Sequence, residues 1–285
     1  MSEHSGVLYV CPTPIGNLED ITLRALRVLN EVDIIAAEDT RVTRKLLTHY
    51  NIQTPLISYH KHTEREKSKV IINELLAGKS IALVTDSGTP LISDPGNELI
   101  TAAIHNQIKV TPLPGASALT CALSASGLSE NGFIFYGFLP RGEQKKKDVL
   151  NELTEKQMPV VFYESPHRVI ETLKVIQDLY CNVKVFIGRE LTKLHEEITF
   201  KPVDEHLKHF KDVEPRGEFT IIIDKIISSK KYYSNEELKI LINEKLAQDL
   251  PISAIAKELS KEIGCSKNKI YKLTLEIAKF KETEL

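Results

Sequence analysis

Three short segments pair a carboxylate with a cation where an apolar run ends: Glu38-Asp39-Thr40-Arg41, Glu164-Ser165-Pro166-His167-Arg168 and Arg189-Glu190-Leu191-Thr192-Lys193. A carboxylate so placed can take a proton, and a neighbouring guanidinium or ammonium can hold an anion. Each alone reads by default as a structural ion pair; the three together favour a polar, charge-bearing substrate. Three further loops, rich in Gly and Pro, also follow apolar runs: Pro12–Asn17, Asp86–Gly96 and Pro112–Ser117. Ligands of open α/β sheets bind outside the carboxyl ends of strands, where small residues let the backbone approach closely. A plain βα turn explains any one loop, whereas three in one domain point to a ligand site. Asp86 could face hydroxyls or a cationic group there, or simply cap a turn.

No G-x-G-x-x-G and no G-x-x-x-x-G-K-[ST] is present, which leaves dinucleotide and P-loop phosphate sites without support. The run Arg141-Gly142-Glu143-Gln144-Lys145-Lys146-Lys147 reads first as a solvated helix start; beside the other cationic loops it could hold phosphates. His60, Lys61 and His62 cluster without matching carboxylate or Cys spacing, so no metal is assigned.

These loops need elements to position them. Val7–Cys11, Val32–Ala37, Ile81–Thr85 and Ile108–Leu113 read as buried strands. The intervening Ile21–Leu29, Arg41–Tyr50, Glu64–Ala77 and Glu98–Asn106 carry helical apolar periodicity. Such alternation implies a mainly parallel sheet covered on both faces. After a small-residue helix at Ala116–Ser126 comes a second α/β series. It comprises strands at Phe133–Phe138, Val160–Tyr163, Val183–Ile187 and Phe219–Asp224, with helices at Lys145–Lys156 and His167–Tyr180. Beyond the polar stretch Ser228–Tyr233, Ser234 and Glu237 have capping-box spacing, Gly264 closes a second helix and Ser266 opens a third. This suits a helix-turn-helix module. The domains expected are 1–116, 117–230 and 231–285.

The 285 residues, 42 % hydrophobic and 27 % charged, describe a globular protein and exclude disordered, collagen-like and coiled-coil classes. Lys+Arg 37 against Asp+Glu 39 gives a net charge of −2, which excludes a globally basic coat protein but not a local basic face. The four cysteines, at 11, 121, 181 and 265, form no framework. With no signal-peptide pattern at Met1 and no apolar run of about 18 residues, a cytoplasmic protein with no membrane partner is expected.

Longer strings carry a resemblance. Leu8–Thr22, Ala36–Arg41, Thr85–Gly96, Pro112–Gly115, Gly137–Pro140, Tyr163–Arg168 and Arg189–Lys193 resemble, in order, the ribosomal RNA small subunit methyltransferase I family of the tetrapyrrole-methylase superfamily. The likeness spans about residues 7–225, and 234–285 is similar to an extension that some members carry. It implies an α/β, two-domain class III methyltransferase fold with a C-terminal helix-turn-helix module, and a homodimer with S-adenosylmethionine bound between the domains. The reaction implied is 2′-O-methylation of a cytidine in small-subunit (16S) ribosomal RNA, free or in the 30S particle.

On that resemblance Pro14, Asp86, Gly88, Thr89, Leu91, Ile92, Ala116 and Ser117 surround the cofactor, with backbone at Phe162 and Tyr163. Asp39 and Glu164 are alternative general bases. Arg41, Arg168, Arg189 and Lys193 could clamp phosphates or lower the hydroxyl pKa, with Arg141, Lys145 and His167 also on the substrate side. Departures from the pattern are Val42 for an expected His, Ser87 and Ala116 for Ala and Pro, and the Glu196–Val203 segment. Five lysines between 267 and 281 against Glu276 suggest that the last helix adds RNA affinity. Two other readings stand beside this one: a methylase of a corrin-type macrocycle, which the cationic loops disfavour, and a non-enzymatic DNA-binding regulator, disfavoured by few base-reading side chains around Asn268.

Overall fold

The protein is seen in a computed structural model, which describes residues 6–180, 183–224, 235–248, 250–263 and 267–283. They form two compact units: one holds the chain up to Ser124 together with Glu190–Glu196, the other begins at Ala125 and holds the rest.

The first unit carries strands β1 (Val7–Val10), β2 (Ile34–Ala37), β3 (Leu56–Ser58), β4 (Ile81–Val84) and β5 (Lys109–Pro112). They make a parallel sheet in the order β3-β2-β4-β1-β5. The central strand β4 is buried at all four residues, which is why it reads as an uninterrupted apolar run. Its side chains alternate between two cores. Ala82 and Val84 meet α1 (Leu23–Glu31) and α2 (Thr40–His49) through Val28, Leu29 and Leu47. Ile81 and Leu83 join Ile71, Leu75, Leu99 and Ala103, from α3 (Glu64–Leu76) and α4 (Asn97–His105). Thr22 begins α1 by accepting from Ala25 N at 3.0 Å, and Asp39 begins α2 by accepting from Arg41 N at 2.8 Å. Helix α5 (Ala118–Ser126) follows β5. Strand β3 was not expected: three half-buried residues at a sheet edge are too few to show a period.

The second unit holds β6 (Ile134–Phe138), α6 (Glu143–Thr154), β7 (Val160–Glu164), α7 (Val169–Leu179), β8 (Lys184–Arg189), β9 (Glu197–Pro202), α8 (Val203–Asp212) and β10 (Phe219–Ile223). Its sheet, β6-β7-β10-β8-β9, is mixed: β6 and β7 run parallel, and the other neighbours antiparallel. Strand β9 and helix α8 go beyond the sequence reading. Ile198 and Phe200 alternate with polar residues, and Val203, Leu207 and Phe210 recur at helical spacing, so both signals were present.

Helices α9 (Asn235–Leu246), α10 (Ile252–Ile263) and α11 (Lys267–Thr283) pack around Leu238, Ile242, Ile255, Leu259 and Ile270. The signals assigned to Ser228–Tyr233, Ser234, Gly264 and Ser266, and cysteines 181 and 265, lie outside the described residues. Among the described residues no helix is long and apolar enough to cross a membrane.

Candidate functional site

The carboxyl ends of β4, β1 and β5, neighbours in the sheet, carry the three Gly/Pro loops, and these are bonded to one another. Thr13 and Gly88 exchange backbone hydrogen bonds: Thr13 N donates to Gly88 O at 2.9 Å and Gly88 N to Thr13 O at 3.0 Å. The Thr13 hydroxyl donates to Thr85 O at 3.0 Å, and the Thr89 hydroxyl donates to Ala116 O at 3.0 Å. Gly88 has φ +85°, and a Cβ there would stand 3.3 Å from Ile15 Cγ2. Leu91 and Ser93 also sit at positive φ, 71° and 74°, the left-handed region that L side chains adopt at a cost. Pro14, Asp86, Gly88, Thr89, Leu91, Ile92, Ala116 and Ser117 all lie on this loop assembly, so the structure brings together every cofactor position assigned to the first unit.

Segment Glu190–Glu196 joins the same unit. Its Lys193 pairs with Glu190 at 2.9 Å and packs on Gly16, where a Cβ would fall 2.3 Å from Lys193 Cγ.

Carboxylates collect beside β4. Glu38 accepts from the Thr85 hydroxyl at 2.8 Å, and Asp86 accepts from Asp39 N at 2.9 Å. Burial, with the charges of Glu38 and Asp86, pushes the Asp94 carboxyl up to about 6. Burial also raises Asp86, and the charges of Glu38 and Asp39 add to this. Asp39 behaves in the opposite way. It binds Arg41 through both oxygens, Nη2 to Oδ2 at 2.6 Å and Nε to Oδ1 at 3.0 Å, and these hydrogen bonds hold its carboxyl at about 2.

The Asp94 environment predicts a pH dependence of stability. Its folded pKa lies above the unfolded value near 3.9, so the folded state binds that proton more tightly. The resulting destabilisation is absent below about pH 4, develops up to about pH 6, and is complete above it. Asp94→Asn is expected to raise stability at pH 7.5 by about 1 kcal/mol, a figure discounted because the side chain is partly exposed. Urea melts at pH 4 should show no gain; an equal gain at both pH values would refute the account.

In the second unit Glu164 is buried. Its Oε1 accepts from Ser165 N at 2.9 Å and lies 3.4 Å from Arg168 Nε, while Oε2 accepts from the Thr172 hydroxyl at 2.7 Å. That hydroxyl in turn accepts from Lys146 Nζ at 3.0 Å, and Lys146 pairs with Glu171 at 2.9 Å. Arg168 also donates to Leu139 O at 2.7 Å. The basic run therefore divides: Lys146 is fully buried, Lys147 is tied to Glu143, and Arg141 and Lys145 stay exposed. Arg189 donates to Arg216 O at 2.8 Å and pairs with Glu197 at 3.3 Å. His167 is exposed and Tyr163 half-buried, whereas Phe162 is wholly inside.

Of α2, sequence reasoning took only Arg41 and passed over the rest of its outer face. A recess of 360 Å3 opens between it and the loops after β1 and β4, lined among others by Thr13, Gly16, Val42, Thr43, Lys45 and Asp86. The available signal was the cation spacing at 41, 44 and 45 in a helix without an acid.

The profile of the Tetrapyrrole (Corrin/Porphyrin) Methylases matches residues 7–206. Ribosomal RNA small subunit methyltransferase I of a Synechocystis strain is 39% identical over 274 residues, 95% of this chain and 98% of its own. The protein of that name from Vibrio cholerae is 43% identical over 274 residues, 95% and 94%. The one from Halalkalibacterium halodurans is 46% identical over 222 residues, 78% and 77%. Among solved structures, a diphthine synthase aligns with TM-score 0.62 at 14% identity, covering 78% of this chain and 90% of that one. Cobalt precorrin-4 methyltransferase aligns at 0.59 and 16%, covering 76% and 94%. At those identities the likeness is one of fold. The profile match and the close relatives together show that this chain belongs to the tetrapyrrole-methylase family, in the group of the ribosomal RNA small subunit methyltransferase I proteins.

Proposed function

We propose that this protein is an S-adenosylmethionine-dependent methyltransferase that methylates the ribose 2′-oxygen of a cytidine in small-subunit ribosomal RNA. The observation that carries the reading is near-full-length identity of 39–43% to relatives named for that RNA. The cross-bonded loops after β1, β4 and β5 supply a matching site. In this reading the protein works in the cytoplasm as a homodimer on free RNA or the 30S particle. Residues 1–116 and 117–230 are its α/β domains, and 231–285 form a helix-turn-helix-like module that adds RNA affinity.

The first unit fits the cofactor. A sulfonium is cationic, and Asp86 and Asp94 hold their protons more tightly than usual because burial and neighbouring carboxylates disfavour their charge; a bound cation relieves that. Gly88 and Thr89 offer close backbone, and Leu91 and Ile92 offer apolar surface. Pro14, Asp86, Ala116 and Ser117 complete the holding set.

When bound, S-adenosylmethionine supplies an electrophilic methyl group on sulfur. The chain contributes position. The mutual hydrogen bonds of Thr13, Gly88, Thr89 and Ala116 hold the loops before RNA arrives, and orienting two reactants is worth up to roughly 7–11 kcal/mol. Asp39, held at about 2, is a poor proton acceptor at neutral pH and serves to fix Arg41, whose side chain is 87% exposed and open to a phosphate. Glu164 is already engaged on both oxygens, which makes it a positioning residue for Arg168. Arg141, Lys145 and His167 are exposed donors for RNA in the second unit, with Arg189 there and Lys193 in the first as half-buried ones.

The test offers methyl-labelled S-adenosylmethionine with 30S subunits, naked 16S RNA or a corrin-type macrocycle. Label recovered in 2′-O-methylcytidine after nuclease digestion is expected. Label in the macrocycle, or in no acceptor, would overturn the reading.

A further inference from the structure

Helix α2 turns Thr43, Leu46 and Leu47 inward, and its outer face is Arg41, Arg44, Lys45, Thr48 and His49, at positions i, i+3, i+4, i+7 and i+8. No Asp or Glu lies between Thr40 and His49. Arg41 is tied to Asp39, whereas Arg44 and Lys45 are exposed and form no salt bridge among the described residues. A shallow, open groove of 590 Å3 runs over this face, lined among the described residues by α2. It shares Lys45 and His49 with the 360 Å3 recess that reaches Thr13, Pro14 and Asp86. A solvated cationic face would explain the groove by itself. The recess adds an independent sign: its lining joins Lys45 and His49 of this face to Pro14 and Asp86 of the loops assigned to the cofactor.

We propose that α2 is an RNA-binding edge of the site: its cationic face follows the phosphates of a single-stranded segment and leads it to the recess beside the loops after β1 and β4. The proposal rests on the RNA-methylating reading and names the surface that presents the substrate. Charge complementarity selects a polyanion. RNA is read chiefly in single strands, through splayed-out bases. The continuity of groove and recess carries the chain from phosphate contacts to Asp86, at the rim of the cofactor loops.

The test uses the full-length protein and a fluorescent single-stranded fragment of small-subunit RNA, with affinity measured across a salt series. Arg44→Glu with Lys45→Glu is expected to weaken binding by at least about tenfold and to lower the log–log salt slope by about 1.4, two phosphate contacts on a single strand. The melting temperature should change little, because both side chains are exposed and form no salt bridge among the described residues. The pair Arg44→Lys with Lys45→Arg, which keeps both charges, should restore most of the affinity. Unchanged affinity and slope in the charge-reversed protein would overturn the edge, as would no RNA binding by the wild type. These arms need no turnover, so a wild type that binds RNA through α2 yet transfers no methyl group would refute only the methylation reading.

Discussion

Glu164→Ala is expected to destabilise the second unit strongly, by about 3–5 kcal/mol, with reduced activity as the consequence. The side chain is 0% exposed and bonds Ser165 N, the Thr172 hydroxyl and Arg168. Behind Thr172 stands Lys146, itself 1% exposed, so the network joins α6, α7 and the end of β7. Removing one partner of a buried ion pair leaves the other charge uncompensated, typically at about 3–5 kcal/mol. Against a total stability of roughly 5–15 kcal/mol that is a large share. Glu164→Gln retains an acceptor oxygen but loses the charge facing Arg168, so a smaller loss is expected. Urea denaturation followed by far-UV circular dichroism measures both. A general base would give the opposite signature: normal stability in Glu164→Gln, with turnover down by about 10²–10⁴. That result would return Glu164 to the chemistry.

The second large effect is expected at Gly88. It sits at φ +85° between two backbone hydrogen bonds to Thr13, with Ile15 Cγ2 3.3 Å and Ala116 O 3.7 Å from the site of a Cβ. An L side chain in the left-handed region costs about 1–2 kcal/mol, and a β-branched one more. Gly88→Ala should therefore weaken S-adenosylmethionine binding about tenfold, and Gly88→Val by a further order of magnitude or more, as the β1, β4 and β5 loops part. The sheet core does not involve this residue, so most of the urea stability should remain. Calorimetric titration with S-adenosylmethionine and with S-adenosylhomocysteine is the measurement. Wild-type affinity in Gly88→Val would remove this loop from the cofactor site.

The sheet of the first unit was largely legible because β2 and β4, at its centre, are short apolar runs buried on both faces, a pattern independent of their partners. Four strands and four helices of that sheet stand within a few residues of their expected places. The mixed pairing of the second sheet was not legible: β7, β8 and β10 have similar apolar runs whatever the direction of their neighbours. In β9 the apolar members of the alternation, Ile198 and Phe200, are the exposed ones, so the pattern does not mark a core face, and α8 begins directly after its last residue, Pro202.

Among the site residues, the division was between chemistry that is local and chemistry that is not. The loops at Pro12–Asn17, Asp86–Gly96 and Pro112–Ser117 could be found from sequence alone, because Gly and Pro announce a backbone conformation wherever the chain goes. The near-neutral charge likewise left room for a local basic face. What each charged residue does was decided only in three dimensions. Lys146 lies in a run that reads as solvated, yet it is buried because its position on α6 faces Thr172 and Glu171. Asp39 and Glu164 look alike in sequence; one caps a helix at the surface with its acidity strengthened by Arg41, and the other is enclosed in a network. The cations of α2 gain meaning only from the recess beside them. Burial and pairing depend on which helix face meets the sheet and on partners many residues away, so tertiary structure alone assigns them.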